Sequence, residues 1–212
     1  GDVLGRNNAW SLVNTDTPVA KEPNTIQLTT NETFGSILTD AEGMSLYFFS
    51  KDTKGASECT GGCIDAWPIF YTENITLDSG LENSDFGVIT RADGNKQTTY
   101  KGWPLYYFAS DAAPGDTKGD KVGDHWFLAK PDYSLMYAQT QLEGENDLTF
   151  YMTDALGRTL YIFFKDTHND NNFTKEDFSN NELFPIFYVE IEKLPSILNK
   201  DDFETIDVFG SK

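Results

Sequence analysis

The pattern Leu-Tyr-x-Phe-x-x-Asp is written three times in this chain, as Leu46-Tyr47-Phe48-Phe49-Ser50-Lys51-Asp52, Leu105-Tyr106-Tyr107-Phe108-Ala109-Ser110-Asp111 and Leu160-Tyr161-Ile162-Phe163-Phe164-Lys165-Asp166. The tyrosines stand 59 and 55 residues apart. A motif that returns at nearly fixed spacing marks a duplicated structural unit, not one elaborated active site. The chain therefore has to fold as a tandem array.

The repetition extends beyond the motif. Leu38-Thr39-Asp40-Ala41-Glu42-Gly43 matches Met152-Thr153-Asp154-Ala155-Leu156-Gly157 at an offset of 114, and Trp67-Pro68-Ile69-Phe70-Tyr71 matches Phe184-Pro185-Ile186-Phe187-Tyr188 at an offset of 117. Phe86 and Ile89 match Phe203 and Ile206 at that second offset, so a small insertion separates the two blocks. The middle motif has a different lead-in, Tyr100-Lys101-Gly102-Trp103-Pro104. The order reads as half A, half B, then A again, which divides the chain into an N-terminal arm or tether (1–24), a first complete repeat (25–140) and a second repeat with its A half only (141–212). A second B half is expected after Lys212, and without it a sheet edge or apolar surface should be left to cover.

Apolar residues alternate or run in short stretches bounded by Gly, Asp and Asn, so the fold class is mainly β, a tandem β-repeat architecture. Expected strands are 25–30, 34–38, 45–50, 69–72, 87–91, 97–101, 105–109, 126–130, 134–139, 149–153, 159–164 and 186–191, with helical turns at 59–66, 175–180 and 200–205. Within each motif a strand places Tyr47 and Phe49, Tyr106 and Phe108, or Tyr161 and Phe163 on one face. Asp52, Asp111 and Asp166 then fall just past the strand ends, where a carboxylate can accept backbone N–H groups of the next turn.

These motifs look like the secreted lipoprotein repeat of unknown function. The resemblance rests on Tyr-x-aromatic-x-x-Asp, on Cys59-Thr60-Gly61-Gly62-Cys63 leading into Ala66-Trp67-Pro68, on Arg91-Ala92-Asp93-Gly94 with Gln97 and Tyr100, and on Pro104 to Phe108, and it covers residues 25–212. It implies an extracytoplasmic protein of the bacterial cell envelope, at the surface or in the periplasm. Such proteins are often built from tandem repeats and often lipid-anchored, here upstream of Gly1, and have no established reaction. The second repeat departs from the pattern in lacking the cysteine pair.

The net charge of −18, from 34 acidic against 16 basic side chains, gives a surface that repels nucleic acid, whose phosphates need clustered Lys and Arg. No apolar run reaches the length of a membrane span. Cys59 and Cys63 read as a structural disulfide closing a short loop relaxed by Gly61 and Gly62, with a redox-active pair or a metal site as alternatives. Oxygen donors at Asp166, Asp170, Asn172, Thr174 and Asp177 approximate the spacing of a Ca²⁺ loop. His168 and Asn171 stand where such a loop wants an oxygen donor and a glycine, and a solvated loop is the competing reading. No nucleophile elbow, zinc-protease helix or phosphate loop is present. The expectation is a non-enzymatic binding or accessory subunit with an envelope or outer-membrane protein as partner and no cofactor. A Ca²⁺-binding or redox-handling envelope protein is the alternative.

Overall fold

The computed structural model describes residues 24–52, 55–143 and 147–211. The expected arm, 1–24, lies outside them apart from Asn24. The described chain is mainly β, and it repeats one plan of a hairpin, a tight turn, a motif segment and a later aromatic segment, which in the first two copies crosses to the other copy.

In the first copy, β1 (Thr25–Asn31) pairs antiparallel with β2 (Gly35–Thr39), and a turn at Asp40 leads into β3 (Tyr47–Phe49). That turn forms because Asp40 Oδ1 accepts the N–H groups of Glu42 and Met44 at 3.0 and 2.9 Å, while Gly43 takes the positive φ of 85°. The Cys59–Cys63 disulfide then opens α1 (Gly62–Ala66), the one α-helix among the described residues. β4 (Thr76–Leu77) returns parallel to β1, giving the sheet order β2-β1-β4.

The second copy is built alike. β5 (Phe86–Thr90) and β6 (Lys96–Tyr100) form its hairpin, β7 (Trp103–Pro104) follows a turn at Lys101 and Gly102, and β8 (Trp126–Leu128) crosses back to pair antiparallel with β3. A third hairpin joins β9 (Leu135–Gln141) to β10 (Leu148–Asp154), so β9 spans the boundary expected at residue 140.

Alternation along β3 divides the core in two. Phe48 packs with Leu46, Trp103, Leu105 and Tyr133, and Met136 and Ala138 of β9 join this cluster. Tyr47 and Phe49 point the other way, to Trp67, Tyr106, Trp126 and Leu128. Burying a ring of this size is worth roughly 1.5–3 kcal/mol relative to leaving it exposed, which makes the two aromatic clusters the main support of the first two copies. Among the described residues no helix is long and apolar enough to cross a membrane.

Four expected strands are not regular strands. Residues 69–72 and 105–109 are held by single bridges, Ile69 to Tyr106 and Tyr47 to Tyr106, because these segments meet their partners over one residue each, whereas β8 meets β3 over three. Among the described residues, 159–164 and 186–191 form no ladder, Thr159 alone bridging to Thr153: alternation makes a strand possible, but a partner strand must be present to form it. The expected helical turn at 175–180 is a run of turns, and that at 200–205 is a short 3₁₀ turn over Lys200–Asp202.

Candidate functional site

The motif tyrosines and aspartates of the first two copies pair across copies, not within them. Tyr47 and Tyr106 sit opposite each other and exchange both backbone bonds, Tyr47 N–H to Tyr106 C=O at 2.9 Å and the reverse at 3.1 Å. Tyr47 Oη donates to Asp111 Oδ2 at 2.6 Å, and Tyr106 Oη donates to Asp52 Oδ2 at 2.8 Å. Each aspartate holds its own following loop with the other oxygen. Asp52 Oδ1 accepts Glu58 N–H at 2.7 Å, and Asp111 Oδ1 accepts Lys118 N–H at 3.0 Å.

The reciprocity extends outward from the tyrosines. Ala129 N–H donates to Leu46 C=O at 2.7 Å, as Phe70 N–H donates to Leu105 C=O at 3.0 Å. Ser50 N–H donates to His125 C=O at 2.8 Å, as Ala109 N–H donates to Ala66 C=O at 2.9 Å. Trp67 and Trp126 stack on each other with centroids 3.8 Å apart and 4° between planes. Phe49 caps Trp126 at 4.1 Å and Phe108 caps Trp67 at 4.3 Å, so four rings form one column, two from each copy. Every partner in these pairs is related to its counterpart by 59 residues, and the local symmetry is a pseudo-two-fold between Tyr47 and Tyr106.

The two buried phenols are not equivalent in their support. At Tyr106 a directed chain runs from Arg91 Nη1 to Ser57 Oγ, from Ser57 to Tyr106 Oη, and on to Asp52. Arg91 is buried and fully engaged, since it also reaches Gln97 Oε1 at 2.6 Å, the Cys59 carbonyl and Asp93. At Tyr47 the place of Ser57 is taken by the Gly119 N–H, 3.3 Å from Tyr47 Oη. Burial, and then the partner aspartate, pushes both phenols well above the usual tyrosine range, so each stays protonated and donates. Burial also pushes the Asp52 carboxyl up to about 7, against the opposing pull of the Glu58 N–H, Tyr106 and Arg91.

The third motif repeats the first copy's local bonds. Asp154 Oδ1 accepts the N–H groups of Leu156 and Arg158, Asp166 N–H donates to Phe163 C=O as Asp52 N–H does to Phe49 C=O, and Asp166 Oδ1 accepts Asn172 N–H at 2.6 Å. Tyr161 meets Phe184 edge-on at 6.0 Å, as Tyr47 meets Trp67 at 5.5 Å. Lys193 bridges in parallel to Tyr133, as Thr76 does to Thr25. What differs is the cover. Tyr47, Phe48 and Phe70 are 0, 3 and 4% exposed; their counterparts Tyr161, Ile162 and Phe187 are 75, 95 and 43% exposed. Among the described residues nothing bridges to Tyr161 as Tyr106 does to Tyr47, and neither Tyr161 Oη nor Asp166 Oδ2 has a partner.

The remaining expected site residues are placed as follows. Cys59 and Cys63 are disulfide-bonded, with Cys59 buried beside Arg91. In the acidic loop Asn172 Nδ2 donates to Asp170 Oδ2 at 3.3 Å, Asp177 Oδ1 accepts Ser179 N–H at 3.0 Å, and Thr174 is buried with its N–H on Asn171 Oδ1. Among the described residues no group of three or more His, Cys, Asp or Glu side chains is placed to hold a metal ion. Trp67, Trp103 and Trp126 are core residues. A cavity lined by Tyr100, Trp103, Lys130 and Tyr133 leaves about 10 Å³, the least that can hold one water molecule. The Arg91–Ser57–Tyr106 chain has no local signature. The cross-copy pairing has one, because Tyr47, Asp52 and Trp67 share a single offset with Tyr106, Asp111 and Trp126.

A family model described as a secreted repeat of unknown function matches residues 28–70 and again residues 87–130. What the sequence separates into unlike halves A and B is thus one repeat matched twice. No curated protein and no solved structure matches the chain. The family is described as secreted, which makes this an extracytoplasmic protein. These two matched stretches, whose motifs build the interlock around Tyr47 and Tyr106, are copies of the secreted repeat of unknown function.

Proposed function

We propose that the protein is a non-enzymatic binding or accessory subunit of a protein assembly in the bacterial cell envelope, and that it binds through the third motif segment. One observation carries this reading: the surface that the first two copies bury against each other is bare in the third, with Tyr161, Ile162 and Phe164 exposed in one stretch of chain and Phe184, also exposed, against the Tyr161 ring. Exposed aromatic and aliphatic side chains beside a phenol and a carboxylate oxygen that have no partner among the described residues are what a protein interface presents before it is covered. The titratable pairs of the first two copies are buried and hydrogen-bonded to each other, which favours a structural over a catalytic role for the motif.

The test is a photoreactive side chain placed at Ile162 in the protein expressed in its own envelope, with Val88, exposed on the hairpin of the second copy, as control. A protein adduct from position 162 and none from position 88 is expected. No adduct from position 162 would overturn the reading.

A further inference from the structure

Resting on that reading of the third segment as a binding face, we infer that its occupant is the third segment of a second copy of this chain, docked about a two-fold axis at Tyr161. The interlock of the first two copies supplies the template. There, one motif's tyrosine bonds the other motif's aspartate, the two tyrosines exchange backbone bonds, and the aromatic column is contributed equally by both sides. A surface that pairs in this way needs a partner carrying the same groups.

The third segment carries both halves of the exchange. Among the described residues Tyr161 Oη is a donor without a partner, and Asp166 Oδ2 is an acceptor without one, while Asp166 Oδ1 already holds its own loop as Asp52 Oδ1 and Asp111 Oδ1 do. Two such segments related by a two-fold would bond Tyr161 of each to Asp166 of the other. Phe163 and Phe184 stand at the positions of Phe49 and Trp67, so the two chains would rebuild the four-ring column as Phe163, Phe184, Phe184 and Phe163. Isologous pairing requires one patch to be complementary to itself, and these groups meet that condition. The backbone of residues 159–164 and 186–188 lacks the ladder it would gain from the partner.

Charge does not oppose this contact at its centre. The chain is acidic overall, yet Tyr161 to Phe164 and Leu183 to Tyr188 carry no carboxylate. The acidic side chains lie on the loops to either side.

Sedimentation equilibrium of the 212-residue chain at micromolar concentration, with two variants, decides the matter. The expected mass is twice the 23.8 kDa of one chain. Ile162→Asp sets two carboxylates against each other near the axis and is expected to weaken the dimer on the order of a hundredfold. Because Ile162 is exposed in the single chain, the resulting monomer should melt with the unaltered chain diluted to where it too is monomeric. Tyr161→Cys places two thiols opposite each other in an antiparallel pair and is expected to give a disulfide-linked dimer on mild oxidation, whereas Phe150→Cys, exposed on β10, is not. A monomeric chain overturns self-pairing, as does a dimer that survives Ile162→Asp and fails to cross-link at position 161. If the chain is monomeric while the cross-linker at position 162 still captures another protein in the envelope, the binding face stands with a different occupant. If that adduct is missing as well, both readings fall.

Discussion

Asp52 sits where burial and hydrogen bonding oppose each other. Its side chain accepts one backbone N–H and one phenol, yet removal from water raises its carboxyl from 3.8 to about 7. A carboxyl whose folded value lies above its unfolded value binds more protons in the native state between the two, so stability is fully present below about 4 and declines as pH rises towards about 7. The contribution lost is on the order of a few kcal/mol. Self-repulsion from the net charge of −18 acts in the same direction, which is why a variant is needed to isolate the residue. Asp52→Asn keeps an acceptor for the Glu58 N–H and leaves no charge to desolvate. Urea midpoints are expected to fall between pH 5 and pH 8 in the unaltered protein, and to fall distinctly less in Asp52→Asn. Parallel pH curves for the two proteins would show that Asp52 is ionised in the fold throughout.

At the scale of elements, the loop after the second motif fits tightly against the first copy. Gly119 lies where a Cβ would come within 2.7 Å of the Tyr47 ring and 2.9 Å of Trp67, both buried rings with no room to give. Gly119→Ala is therefore expected to cost about 1–3 kcal/mol, in the range for overpacking a core, and to lengthen the Tyr47–Asp111 bond. Denaturant unfolding with an unchanged slope and a lowered midpoint is the signature; an unchanged midpoint would mean that the loop packs elsewhere. The blocks around Asp40 and Asp154 were legible in the sequence as a repeat, and the structure gives the reason: in each the aspartate accepts the N–H groups two and four residues on. So was the division of Tyr47 and Phe49 from Phe48 by strand alternation. The segments 159–164 and 186–191 were not, because a strand is completed by its neighbour and the apolar pattern records only readiness to pair.

At the scale of the molecule, one repeat is used in two states. Copies one and two bury their motif faces against each other through exchanged segments, while the third presents the same face to solvent. Pairing each motif with its closest match along the chain joins Pro68 to Pro185 and conceals this arrangement, because the residues that match best there stabilise turns within a copy. The contacts between copies involve Trp67 with Trp126 and Tyr47 with Asp111, residues that need only equal spacing to meet. The central claim, that the motif's tyrosine and aspartate act on each other across copies, is tested most directly by two double-mutant cycles in urea. Tyr47→Phe with Asp111→Ala should show a coupling energy of about 1–3 kcal/mol, the range for a hydrogen bond to a charged group. Tyr47→Phe with Asp52→Ala, the two residues of one motif, should be additive within about 0.5 kcal/mol. Coupling within the motif and additivity across copies would contradict the interlock.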